Sequence, residues 1–193
     1  MALTDANKPD PELRLEISDE EIIRSCLEGD SDSYRILVER YWSMVYSVVR
    51  RIADSHDDTV DVTQEAFVRA YEHLADFARD CKFSTWLLRV ATNYALDQKR
   101  RRTARVRLRE YVPVTGYTPS PDTPAITRET ESRLSEALRS LSHHQRLALV
   151  LKVVHGMSTS EVADILGCSE GTVRVHLHQA RKALRDRWEG WRS

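Results

Sequence analysis

Residues 83–102 read FSTWLLRVATNYALDQKRRR, and this stretch decides how the rest of the chain is read. Leu87, Val90, Ala91 and Tyr94 recur at helical spacing and predict one apolar stripe. Ser84 stands before the run as its expected N-cap. Opposite the stripe fall Arg89, Asn93, Asp97 and Arg100, and the helix runs out into Lys99, Arg100, Arg101 and Arg102. A helix that is apolar on one side and basic on the other suits a polyanion such as DNA.

The surrounding composition agrees with helices. The chain has 193 residues, enough for one large domain or two small ones, with 41% hydrophobic residues and only six glycines. No alternating run of β-branched residues predicts a strand. A net charge of −1 names no partner, but it averages two opposed ends. Met1 to Ser33 holds ten acidic and three basic residues, a balance of −7, whereas Lys82 to Arg109 holds nine basic and one acidic, a balance of +8. Nucleic acid responds to such local fields more than to the total.

Residues 1–17 carry Pro9, Pro11 and several charges without apolar period, and read as a disordered arm. Residues 18–102 predict four helices in a bundle. The first starts at Ser18 or Asp19, with Ile22, Ile23, Cys26 and Leu27 on one face, and stops at Gly29. Asp30 caps the second, whose apolar positions are Tyr34, Leu37, Val38, Tyr41, Val45, Val48, Val49 and Ile52. The third follows the polar break Asp54 to Asp58 and runs to about Leu74. Phe67, Ala70, Tyr71 and Leu74 face inward, while Asp61, Gln64 and Glu65 form an outward acidic and amide-bearing patch. The basic helix is the fourth.

Residues 103–128 lose helical period and gather Pro113, Pro119, Pro121 and Pro124 with Gly116, the composition of a semi-extended linker. Residues 129–193 return to helices. One carries Leu134, Ala137, Leu138 and Leu141, and the next Leu147, Val150, Leu151 and Val154, ending at Gly156. Ser158 and Glu161 have capping-box spacing ahead of Val162, Ala163, Ile165 and Leu166. Gly167 permits a turn, Ser169 caps the last helix, and that helix buries Val173, Leu177, Ala180 and Leu184. Arg174, His178, Arg181, Lys182 and Arg185 stay outside. Two short helices about a glycine turn, the second basic on its outer face, form a helix-turn-helix. The expected fold is therefore all-α: two small helical domains joined by a flexible linker.

Other chemistry finds no support. Cys26, Cys81 and Cys168 are odd in number and scattered, without a CxxC pair, so neither a zinc ribbon nor a disulfide framework is signalled. No phosphate-cradling glycine loop, HExxH or nucleophile elbow occurs. His176 and His178 point to different sides of a helix, and His143 and His144 are adjacent, so neither pair suits a shared metal. No cofactor, metal or reaction chemistry is expected. Without a signal sequence or an apolar span, a cytoplasmic location is expected.

Four blocks fall in order along the chain: GDSDSYRILVERY, DVTQEAFVRAY, FSTWLLRVATNYALDQKRRR and MSTSEVADILGCSEGTVRVHLHQARKALR. With a proline-bearing linker between the third and fourth, the chain from Asp19 to Arg187 resembles the extracytoplasmic-function sigma factors, group IV of the sigma-70 family. The resemblance implies region 2 at residues 18–102 and region 4 at 129–193. It implies core RNA polymerase as partner, through the β′ clamp helices and the β flap, promoter DNA as ligand, and control by an anti-sigma factor.

It also places function on residues. Asp61, Gln64 and Glu65 match the positions that dock on the β′ clamp helices, where an amide beside carboxylates suits a basic surface. The loop from Phe77 to Phe83 corresponds to the segment that captures a flipped −10 base, and Arg79, Asp80, Lys82 and Ser84 are the hydrogen-bonding groups available for it. Asn93, Asp97 and Arg100 match positions facing the −10 duplex. Two roles are open to Trp86: an aromatic wedge where the −10 duplex parts, or a core tryptophan fixing its helix. Leu87 replaces a second aromatic of housekeeping relatives, which implies weaker melting. Ser169, Thr172, Arg174, Val175, His176, His178 and Gln179 fall where the family reads the −35 element. Arginine can pair with guanine and glutamine with adenine, while Arg181, Lys182 and Arg185 suit phosphates. The rival reading is a stand-alone helix-turn-helix regulator with an N-terminal sensor bundle. It accounts for residues 129–193 but not for the acidic patch or the second basic face.

Overall fold

The protein was analysed as a computed structural model that describes residues 17–108, 136–138 and 140–192. Among these residues every regular element is helical: α1 (Asp19–Leu27), α2 (Tyr34–Val49), α3 (His56–Glu72), α4 (Phe83–Leu108), α5 (His143–Val153), α6 (Thr159–Leu166) and α7 (Glu170–Arg192). The arm before Ile17, the proline-bearing segment and Leu134 lie outside the described residues.

The first four helices form a bundle with α4 packed against both α2 and α3. Helix α1 begins in a full capping box, in which the Glu21 amide donates to Ser18 Oγ (3.3 Å) and the Ser18 amide donates to Glu21 Oε2 (3.0 Å). Gly29, at φ 109°, releases the chain into the left-handed region where other residues are strained. Asp30 then caps a short 3-10 turn, Ser31–Ser33, which runs straight into α2. The turn changes the bundle face, and Leu27, expected inside, is 50% exposed.

Helix α2 carries the core through Leu37, Val45, Val48 and Val49. Its Tyr34 hydroxyl donates to the Phe67 carbonyl at 2.9 Å, so a buried phenol finds its partner. Helix α3 starts at Ser55, whose Oγ accepts from the Asp58 amide (3.1 Å), and buries Thr59 and Thr63 beside Ala66, Phe67 and Ala70. Each threonine hydroxyl donates to a carbonyl four residues back, Ser55 and Thr59 respectively, both at 2.7 Å. That bond hides their polarity and lets them stand where a hydrophobic residue would be sought. Tyr71, expected inside, is instead 41% exposed, with its ring 4.9 Å from that of Tyr34.

Helix α4 differs from expectation at both ends. It starts at Phe83, with the Thr85 and Trp86 amides donating to the Lys82 carbonyl, so Ser84 lies within the first turn and is not the cap. It also continues six residues past Arg102, to Leu108, through residues assigned above to the linker. Its buried face is wider than the predicted stripe: Thr85, Trp86, Leu87, Leu88, Ala91, Thr92 and Ala95 are all inside. Two of its basic residues serve the bundle itself. Lys99 pairs with Asp54 and donates to the Ile52 carbonyl, and Arg102 holds both carboxylate oxygens of Asp58.

The C-terminal helices carry Leu147, Leu151, Val162, Ile165, Val173 and Leu177 into one apolar core continuous with that of the N-terminal bundle. Capping boxes start α5 (Ser142 with Gln145) and α6 (Ser158 with Glu161). Gly167, at φ 62°, is the left-handed cap of α6 and forms the turn into α7. Helix α5 ends at Val153, one turn before Gly156, leaving Val154 66% exposed against its expected burial. The two halves also meet: α6 lies along α4, and α5 touches α2.

Candidate nucleic-acid interface

Three surfaces carry the residues singled out in the sequence. The first is the outer ridge of α3. Asp61 and Gln64 are exposed one turn apart, and Glu65 beside them is half-buried because it pairs with Arg69 at 2.9 Å. Arg69 in turn lays its guanidinium 4.3 Å from the centre of the Tyr94 ring on α4, which fixes the ridge to the basic helix. Val68, one turn beyond Gln64, is 51% exposed and extends the ridge with an apolar end. Sequence reasoning passed over Val68; its signal was an aliphatic residue on the polar side of an amphipathic helix.

The second surface is the loop before α4 and the helix that follows. Phe77 and Phe83 are both buried at the ends of this loop, with rings 5.7 Å apart. Between these anchors Ala78, Arg79, Asp80 and Lys82 are exposed, while Cys81 is half-buried. Arg79 is the one described non-glycine residue at positive φ, 58°, so the backbone bends sharply outward there. Trp86 is only 7% exposed, with ring centres 5.4 Å from Phe77 and 5.7 Å from Phe83. In this arrangement Trp86 is a core residue under the loop and presents no ring to a base step. Burial of a large apolar ring among two others outweighs its release to water. Along α4, Arg89, Asn93 and Arg100 are exposed on one side; Asp97 joins them half-buried and pairs with Arg101 at 2.9 Å. Ser84 is half-buried at the start of the same helix.

The third surface is α7. Ser169 Oγ accepts from the Thr172 amide at 3.1 Å, and the two hydroxyls are 2.9 Å apart, so both residues shape the exposed N-terminus of the helix. Arg174, Val175, His178, Gln179, Arg181 and Lys182 are exposed along it. Arg174 pairs with Glu170 at 3.0 Å, and Gln179 Oε1 accepts from Gln145 Nε2 at 2.9 Å. His176 departs from the expectation. It turns inward and stacks on His144 of α5, ring centres 5.8 Å apart, and its Nδ1 is shut away from water without a hydrogen-bond partner. Burial first, and the neighbouring His144 second, push its pKa below the ordinary histidine value. An imidazole stacked on His144 between two helices is not in place to read a base.

Residues 37–105 match Sigma-70 region 2, and residues 131–184 match Sigma-70, region 4. The chain is 34% identical over 192 residues to the ECF RNA polymerase sigma-E factor of Escherichia coli strain K12, covering 88% of this chain and 93% of the relative. This chain belongs to the ECF family of RNA polymerase sigma factors. It is also 30% identical over 173 residues to the ECF sigma factor SigW of Bacillus subtilis strain 168, covering 84% of this chain and 92% of that one. Among solved structures, CnrH in complex with the cytosolic domain of CnrY matches with a TM-score of 0.67 and 25% identity, over 89% of this chain and 97% of that one. RpoE of Bartonella quintana, solved with the anti-sigma factor NepR, shares the fold at a TM-score of 0.69 and 21% identity, over 81% and 96% of the two chains.

In this ECF sigma factor the region 2 match ends at 105, past the expected edge at 102, and α4 continues to Leu108, whereas the region 4 match, 131–184, lies within the expected 129–193. No helix among the described residues is long and apolar enough to cross a membrane.

Proposed function

We propose that this chain is the promoter-specificity subunit of a bacterial RNA polymerase, working in the cytoplasm with the core enzyme. The α3 ridge of Asp61, Gln64 and Glu65 docks on the β′ clamp helices, and the module of α5 to α7 adjoins the β flap. The pinned loop, through Arg79, Asp80, Lys82 and Ser84, takes the extruded −10 base. Asn93, Asp97 and Arg100 face the adjoining −10 duplex. Helix α7 enters the major groove of the −35 element, where Arg174, Val175, His178 and Gln179 meet base edges and Arg181 and Lys182 meet phosphates. Ser169 and Thr172 bring the helix N-terminus to a phosphate, where backbone N–H groups favour an anion. The chain supplies recognition, and the bond-forming chemistry belongs to the polymerase.

The observation that carries this reading is the coexistence, on one chain, of an outward helix-turn-helix, a second basic helix with an exposed loop, and an acidic ridge. A stand-alone regulator needs only the first. Control by an anti-sigma protein is part of the proposal, supported by CnrH having been solved with the cytosolic domain of CnrY.

Run-off transcription with core polymerase tests it. Wild-type protein should yield promoter-specific transcript, and Gln64→Ala with Glu65→Ala should remove most of it while duplex binding by α7 persists. Equal transcription with and without the wild-type chain would overturn the proposal.

A further inference from the structure

The first turn of α5 starts a chain of hydrogen bonds that ends on the reading helix. The Ser142 amide donates to Gln145 Oε1 at 3.0 Å, and Gln145 Nε2 donates to Gln179 Oε1 at 2.9 Å. The direction of this chain is fixed by its first member. A backbone N–H only donates, so the Gln145 atom that meets it is the oxygen. The other end of that amide is then the NH2 group, and the Gln179 atom receiving it is again an oxygen. Two side chains whose ends have nearly the same shape are thus oriented from one backbone group.

The start of the chain is itself anchored. Gln145 is the third residue of α5 and half-buried, and its own amide donates to Ser142 Oγ at 3.3 Å, which closes the capping box. One residue earlier, His144 stacks on His176, with ring centres 5.8 Å apart. His176 and Gln179 are three apart on α7 and share a face, so the first turn of α5 supports α7 at two successive levels. Gln179 itself stays exposed.

Stability alone gives this bond little reason. A hydrogen bond between surface amides replaces others made to water, and its net contribution is small. Its effect is on orientation. A free glutamine presents oxygen and nitrogen either way round, whereas Gln179 has one order. The bond from Gln145 uses one of the two acceptor sites on Gln179 Oε1 and leaves the second, together with the Nε2 donors, for a base. An acceptor and a donor side by side match the N6 amine and N7 of adenine in the major groove.

We infer that Gln145 is a positioning residue for −35 recognition: from α5 it fixes the amide order of Gln179 and so commits that side chain to adenine. The inference rests on the −35 reading of α7 proposed above. Gln145 acts through Gln179 and not on the DNA, so specificity at one base pair is set partly by the supporting helix.

The test uses core polymerase carrying the full chain. The complex selects bound duplexes from a random-sequence pool, and sequencing gives the base preference at each position of the motif. Gln179→Ala identifies the position that Gln179 reads. Gln145→Glu keeps the capping box, since a carboxylate also accepts from the Ser142 amide, but it offers Gln179 an acceptor in place of a donor. The Gln179 amide then turns over to donate from Nε2, and its acceptor and donor exchange places at the base. Gln145→Ala removes the tie and lets both orders occur. Ser158→Ala, at the cap of α6, controls for destabilisation of the same module. Preference is compared between bases within one variant, so the charge added by glutamate, which acts on the phosphates of every duplex alike, cancels.

Wild type should prefer adenine at the Gln179 position by roughly 5- to 150-fold, the range of a bidentate base contact. Gln145→Glu should bring that preference close to parity, Gln145→Ala should lower it part of the way, and both should leave the other positions of the motif as they were. Ser158→Ala should lower the melting temperature and move no position. Adenine retained in both Gln145 variants, a wild-type preference for another base, or a loss spread over the whole motif, as a structural role would give, would each overturn the inference. A selected motif whose Gln179 position ignores Gln145 sinks the positioning role and spares the promoter reading. A wild-type complex that selects no motif sinks the promoter reading, and the inference with it.

Discussion

Replacing Trp86 by alanine removes the largest ring of the cluster under the −10 loop, leaving Phe77 and Phe83 facing a void. The side chain is 7% exposed, so nearly all of its apolar surface is lost from the core. Truncating a buried aromatic costs about 3–5 kcal/mol, because the transfer term and the residual cavity add. Against a total stability of roughly 5–15 kcal/mol this is a large fraction. Trp86→Phe keeps a ring in contact with both neighbours and should cost about 1.5 kcal/mol or less. Urea unfolding followed by far-ultraviolet circular dichroism measures both variants, since α4 anchors most of the bundle's helix. A Trp86→Ala midpoint within about 1 kcal/mol of wild type would refute the core assignment. A tryptophan serving DNA instead would give the reverse pattern, with stability untouched and strand opening lost.

Other outcomes follow from the same geometry. The Asp58 carboxyl is held below its ordinary value, first by the Arg102 guanidinium, so this pair stabilises the bundle above the unfolded carboxylate pKa and fades as pH falls through the lowered value. The stability gap between wild type and Asp58→Asn, measured by urea titration, should therefore be open at neutral pH and close in acid; a gap that widens in acid would contradict the pairing. Gly167→Ala should destabilise the helix-turn-helix by about 1 kcal/mol through its left-handed backbone alone, because no atom lies within 4 Å of the added methyl group. Calorimetry checks this, and an unchanged melting temperature would count against the turn geometry. His176→Leu should leave −35 duplex affinity intact and raise stability, since it replaces an inward ring with an unpartnered nitrogen; loss of duplex binding would restore His176 to the reading face.

Much of the fold was legible because its signals are local. Ser158, Glu161 and Gly167 announce a helix start and stop within ten residues, and both appear as read. The core positions of α2 follow from its period, whereas α4 buries Thr85, Trp86, Leu88, Thr92 and Ala95 beyond the predicted stripe and leaves Val90 and Tyr94 half-buried. What escaped depends on partners distant in sequence. Thr59 and Thr63 count as polar until their hydroxyls return to the backbone, and Leu27 counts as buried until the 3-10 turn redirects the chain. Lys99 and Arg102 read as part of a DNA-facing run until Asp54 and Asp58 are brought beside them. For the site, exposure of Asp61, Gln64, Arg174 and Gln179 was deducible from the amphipathic pattern. The inward turn of His176 was not, because it depends on His144 across a helix pair.

The two phenylalanines that hold the ends of the exposed loop have a further consequence. Arg79, Asp80 and Lys82 are posed by rings buried beneath the surface, so their aim is adjustable from below. A change of side-chain volume at Phe77 or Phe83 would shift the tip and, on the function proposed above, alter which base it accepts with every contacting group left in place. Promoter preference would then be tunable through buried hydrophobic positions that a map of DNA-touching residues passes over.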